Sequence, residues 1–108
     1  MNTNNEPTQE TIKDWFDNTY ATRGEWYLRP VKAYYIFWEL LQVRPQTKLL
    51  DVACGLGRLL EAGESYPCER YGIDLSSVAV EKAKAKVPSA KIVQGNAERL
   101  PYEDNYFD

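Results

Sequence analysis

The stretch KLLDVACGLGRLL, residues 48–60, sets an acid, Asp51, two positions ahead of small residues that recur at every second position: Ala53, Gly55 and Gly57. An apolar run, an acid and then glycines describe a buried strand that opens into a loop which something approaches closely. A carboxylate at that place repels a phosphate and attracts a cation. Two further strand ends carry polar residues, Asp74 in RYGID and Asn96 in KIVQGN. Together these positions suit the holding of a small ligand with a cationic part.

Other chemistries are excluded by what the residues are. The 108 residues contain no histidine, so a catalytic triad, a histidine metal site and imidazole acid–base catalysis are ruled out within them. Cys54 and Cys68 are too few and too far apart for a zinc site, and no metal site is expected. A dinucleotide fingerprint needs a third glycine where Leu60 stands, and the acid at Asp51 opposes a pyrophosphate. No G-K-[ST] closes the loop, which excludes a phosphate-binding P-loop.

The elements that must position these residues follow from periodicity. Ile12, Trp15 and Phe16 predict a helix over 11–20, broken at Gly24. Pro30 opens a second helix, with Tyr34, Trp38 and Leu41 on one face. Residues 48–53 read as a buried strand, 57–64 as a short helix, 70–74 as a second strand, and 91–94 as a third. Ser76 is a suitable N-cap for a helix over 77–87 whose buried face is Val80, Ala83 and Val87. Residues 95–106 read as a polar loop, and Phe107 and Asp108 could open a fourth strand. Strands alternating with helices predict an α/β fold, a parallel sheet with helices on both faces, and ligands at the carboxyl ends of its strands. On this geometry the sulfurs of Cys54 and Cys68 fall at opposite sheet edges, roughly 15–20 Å apart, so no disulfide is expected.

LLDVACGLGR resembles the first motif of the class I S-adenosylmethionine-dependent methyltransferases, and the resemblance continues through YGIDLSSVAVEKAKAK and IVQGNAERLPYEDNYFD. Three blocks lie in the family's order, each at a strand end. The resemblance implies a Rossmann-like three-layer αβα domain that binds S-adenosyl-L-methionine. It implies that Gly55 and Gly57 admit the methionine part, that Asp51 holds its ammonium end, and that Asp74 accepts both ribose hydroxyls. Leu75 would press on the adenine, Asn96 would accept from its amino group, and Ala97 would offer its N–H to the ring. Ala53 replaces the family's commoner glycine, which is tolerable if its φ stays negative. Asn96 stands where the family often has aspartate.

Plainer readings stand beside these. Asp51 could cap the next helix, Asp74 and Asn96 could be loop residues, and Cys54 a loop filler. The aromatic residues Trp15, Phe16, Tyr20, Trp26 and Tyr27 read as packing, or alternatively as a cover for the cofactor, with Arg29 near its carboxylate. The expected organisation is a helical segment over 1–44 that covers cofactor and substrate, then the N-terminal half of a methyltransferase domain over 45–108. The chain is expected to be part of a longer protein, because a sheet ending here would leave the third strand short of neighbours. The resemblance implies methyl transfer to a small-molecule acceptor. A cofactor-binding module without transfer, and a NAD(P)-dependent oxidoreductase, are the alternatives. A net charge of −3 and a pI near 5.0 disfavour nucleic acid and anionic lipid as partners. No apolar run is long enough to span a membrane, and two thiols without a bridge suit a cytoplasmic protein. No catalytic base can be named.

Overall fold

The computed structural model describes residues 6–23 and 31–108. Two helices come first, α1 (Gln9–Arg23) and α2 (Val31–Leu41). They are followed by β1 (Lys48–Val52), α3 (Arg58–Ala62), β2 (Glu69–Asp74), α4 (Ser77–Lys86) and β3 (Lys91–Gln94). The three strands are parallel in the order β1-β2-β3. This is the α/β alternation that the sequence implies. The Gly24 break, Pro30, Arg29, Trp26 and Tyr27 lie outside the described residues.

Helix α1 is longer than its apolar stripe because Thr8 caps it, accepting from the Thr11 N–H at 3.1 Å through Oγ1. Helix α4 begins as its sequence signals: Ser76 Oγ accepts from the Ala79 N–H at 3.1 Å. Val80, Ala83 and Val87 are buried and meet Leu60, Cys54 and Ile92 in one cluster. Each of the larger apolar side chains buried there contributes about 1.5–3 kcal/mol. Register puts Asp51, Gly72 and Ile92 side by side on the face that α3 and α4 cover. On the other face Tyr71 packs against the rings of Tyr102, Tyr106 and Phe107. Among the described residues, then, helices cover one face of β2 and an aromatic segment covers the other.

Three sequence expectations need correction. β1 is half-buried rather than buried, because only β2 is bonded along its length. In α2 the expected stripe is not all inward: Trp38 is fully buried, Tyr34 is half-buried, and Leu41 is 48% exposed. Trp38 is held by its Nε1–H, which donates to the Leu59 carbonyl at 2.6 Å. Nor do Phe107 and Asp108 form a fourth strand among the described residues. The Asp108 N–H donates to the Lys48 carbonyl at 2.8 Å, and the Lys48 N–H donates to Asp108 Oδ2 at 2.8 Å. Residue 108 therefore meets the edge of β1 that β2 does not occupy. Open α/β sheets bind ligands at the carboxyl ends of their strands.

Candidate functional site

The carboxyl ends of all three strands converge on one cavity of about 490 Å³. Ala53 comes from the end of β1, Asp74 and Leu75 from β2, and Asn96 and Ala97 from the loop after β3. Gln9, Phe16 and Tyr20 of α1 close it from above. Five of the eight residues singled out in the sequence thus share one wall. Asp51 does not: with Cys54, Arg58 and Tyr34 it lines a smaller cavity of about 260 Å³, which also touches Ala53.

The turn after β1 explains this division. Ala53, Gly55 and Gly57 all have left-handed backbone, with φ of 62°, 55° and 80°. The every-second-residue spacing of small residues is a spacing of positive-φ positions. Ala53 therefore departs from the expectation that its φ stays negative; an L-residue there carries roughly 1–2 kcal/mol of strain. Gly57 was expected to admit the ligand. A β-carbon there would instead lie 3.1 Å from Ala83 Cβ and 3.4 Å from Val87 Cγ2, so its bareness serves the packing of α4. Gly72 does similar work in β2, where a β-carbon would fall 2.8 Å from Leu60 Cδ1. The sequence reading passed over Gly72, whose signal was a glycine inside an apolar strand.

Asp74 holds the loop as well as facing the cavity. Its Oδ2 accepts from the Gly55 N–H at 2.8 Å and its Oδ1 from the Ser76 N–H at 2.9 Å. The loop reading is thus real, yet each carboxylate oxygen keeps a lone pair for a ligand hydroxyl. Asn96 is a turn residue in the same sense. Its Oδ1 accepts from the Glu98 N–H at 2.9 Å, the oxygen that was expected to face an adenine amino group. Leu75 and Ala97 supply apolar wall.

Electrostatics separate the two acids further. Burial, and then the charge of Asp74, push the carboxyl of Asp51 up to about 6. A cation placed nearby relieves both effects. Burial, followed by the charges of Asp51 and Asp74, pushes the Cys54 thiol far above its ordinary range, so it is an inert filler within the core. Among the described residues no group of three or more His, Cys, Asp or Glu is placed to hold a metal, and no helix is long and apolar enough to cross a membrane.

Sequence reasoning missed Asp17. It lies in α1 beside Lys13, an ordinary surface pairing by its spacing. In the fold its carboxylate reaches the first turn of α4, 59 residues away. No local pattern marks such a partner. The aromatic residues of α1 divide: Phe16 and Tyr20 line the cavity, while Trp15 is 54% exposed.

Known proteins resemble the chain in the same region. A family described as a methyltransferase domain matches residues 50–108. The chain is 43% identical over 72 residues to a demethylmenaquinone methyltransferase from Staphylococcus aureus, a match that covers 61% of this chain and 30% of that protein. It is 39% identical over 74 residues to an uncharacterized methyltransferase from Synechocystis, covering 65% of this chain and 33% of that one. The solved structure of the cyclase SpnF matches with a TM-score of 0.75 at 21% identity, over 94% of this chain and 47% of that chain; this likeness concerns the fold. The chain spans about a third of the length of these curated relatives.

Proposed function

The chain belongs to the class I S-adenosylmethionine-dependent methyltransferase family, and from that premise we propose that it holds S-adenosyl-L-methionine for methyl transfer to a small-molecule acceptor. The observation that carries this reading is the pairing of the two cavities across Ala53. One offers a carboxylate and apolar walls, Asp74 with Leu75, Ile73 and Phe16. The other offers a half-buried acid, Asp51, whose carboxyl is pushed up by burial and then by the charge of Asp74. A molecule with a ribose and an adenine at one end and an ammonium at the other matches that division. The larger cavity falls within the roughly 300–1,000 Å³ typical of ligand sites.

When bound, the cofactor supplies a methyl group activated on a sulfonium. The chain's own part is binding, orientation and the exclusion of water. Asp74 accepts hydroxyl hydrogens while its backbone bonds keep it fixed. Asp51 balances positive charge. Leu75 and Ala97 flank the ring, and Asn96 presents its amide at the rim. Gly55 keeps the loop in the left-handed turn that Asp74 anchors. The two free thiols, Cys54 and Cys68, fit a cytoplasmic setting, and the mildly acidic chain suits a small acceptor better than nucleic acid.

A dinucleotide reading is disfavoured by Leu60, which is fully buried against Gly72 where a third glycine is required. A binding module without transfer is the second reading, since a fold does not dictate its chemistry. Calorimetric titration of the full-length protein with S-adenosylmethionine, S-adenosylhomocysteine and NAD tests the cofactor. Transfer of a labelled methyl group to a panel of small acceptors, quinone-like phenols included, tests the activity. Binding without transfer to any acceptor selects the module reading, and binding of NAD alone overturns both.

A further inference from the structure

Helix α1 is fastened to α4 at two places. At the first, Asp17 Oδ1 accepts from the Ser76 hydroxyl at 2.6 Å and the Val78 N–H at 3.3 Å, and Oδ2 accepts from the Ser77 hydroxyl at 3.3 Å. The start of a helix leaves N–H groups without partners and carries positive dipole, so a carboxylate brought there is favoured. Burial alone raises the carboxyl's pKa, but the hydrogen bonds from Lys13, Ser76 and Val78 outweigh it and hold the group near 2. At the second place, Lys82 Nζ donates to the Tyr20 carbonyl at 2.8 Å. Between the two, Phe16 and Tyr20 pack against Leu56, Val78 and Ala79 while also lining the large cavity.

Ser76 joins this fastening to the site. Its hydroxyl hydrogen goes to Asp17, its oxygen accepts from the Ala79 N–H, and its own N–H goes to Asp74 Oδ1. One residue therefore touches both the carboxylate that faces the cavity and the carboxylate that holds the cover.

We propose that Asp17 is a positioning residue: it latches α1 over the cavity and, through Ser76, couples closure of that cover to the seating of Asp74. The inference rests on the cofactor reading above. A ligand leaves when the cover lifts, so the latch sets the dissociation rate. Linkage is reciprocal, and a bound ligand tightens the latch as much as the latch tightens the ligand.

The test uses the full-length protein with S-adenosylhomocysteine as the probe and stopped-flow tryptophan fluorescence as the readout. Asp17→Asn should raise the dissociation rate about tenfold or more, the loss typical of charge-assisted hydrogen bonds, and change the association rate far less. Asp17→Glu should recover part of the loss. Lys82→Met, at the other fastening, should give a smaller rise and serves if Asp17→Asn does not fold. Limited trypsin cleavage at Lys13 and Arg23 should be slowed by the probe in the unmodified protein and much less in Asp17→Asn. If the unmodified protein does not bind the probe, the cofactor reading and the latch both fall. If it binds, and the variants release the probe at the unmodified rate with equal protection, the latch alone is overturned, even where thermal stability drops.

Discussion

Asp51→Asn should make the ligand-free protein more stable at neutral pH and at the same time weaken its hold on a cationic ligand. The carboxyl is pushed up to about 6 by burial first and the Asp74 charge second, against an ordinary value of 3.8. A shift of roughly 2 units corresponds to about 3 kcal/mol at most. Asp51 is only half-buried, so solvent screening reduces this to about 1–2 kcal/mol. The sign follows from proton binding: the folded state holds the proton more tightly than the unfolded state. The charge-burial cost is therefore fully present above pH 6 and shrinks as pH falls toward 4. Asparagine has nearly the same shape without the charge. Urea unfolding of both proteins at pH 7.5 and pH 4.5 should show the variant ahead at the first pH and level with the parent at the second. In titrations with S-adenosylhomocysteine, affinity of the parent should fall below pH 6, by up to tenfold per unit, while the variant's profile is flat. A variant destabilised equally at both pH values would refute the burial argument. A parent whose affinity does not change between pH 5 and 8 would show that no cation meets Asp51.

Asp74→Asn sets an amide nitrogen against the N–H of Gly55 or Ser76, so it should cost about 1–3 kcal/mol of stability, and affinity for S-adenosylhomocysteine should fall as well, read by calorimetry; an unchanged affinity removes the ribose role. Gly57→Val forces a branched side chain onto φ +80° with a β-carbon 3.1 Å from Ala83 Cβ, so thermal unfolding should reveal a loss of at least about 1–3 kcal/mol even without ligand; wild-type stability with lost binding would return Gly57 to the ligand. Ala53→Gly relieves a left-handed alanine and should raise stability by about 1 kcal/mol in denaturant titration, whereas a loss there would mean that the methyl group's contacts in the two cavities outweigh the strain.

The sequence by itself determined the elements and the three strand ends whose residues line the larger cavity. Apolar runs, the period-3.6 spacing, the Ser76 cap and the glycines are local signals, and local signals specify strands, helices and turns whatever lies across from them. They also put Asp74, Leu75, Asn96 and Ala97 on one wall, because a parallel sheet aligns its strand ends. Tertiary structure alone decided what each face meets. Gly57 looked like ligand space in the sequence, and only the position of Ala83 on α4 shows that it is helix space. Asp51 and Asp74 look alike as strand-end acids, but they open on different cavities, because the left-handed turn at Ala53 stands between them. Asp17 bonds to a residue 59 positions away. Such a contact leaves no periodic trace, since a carboxylate on a helix surface has the same sequence whether water or another helix's first turn receives it.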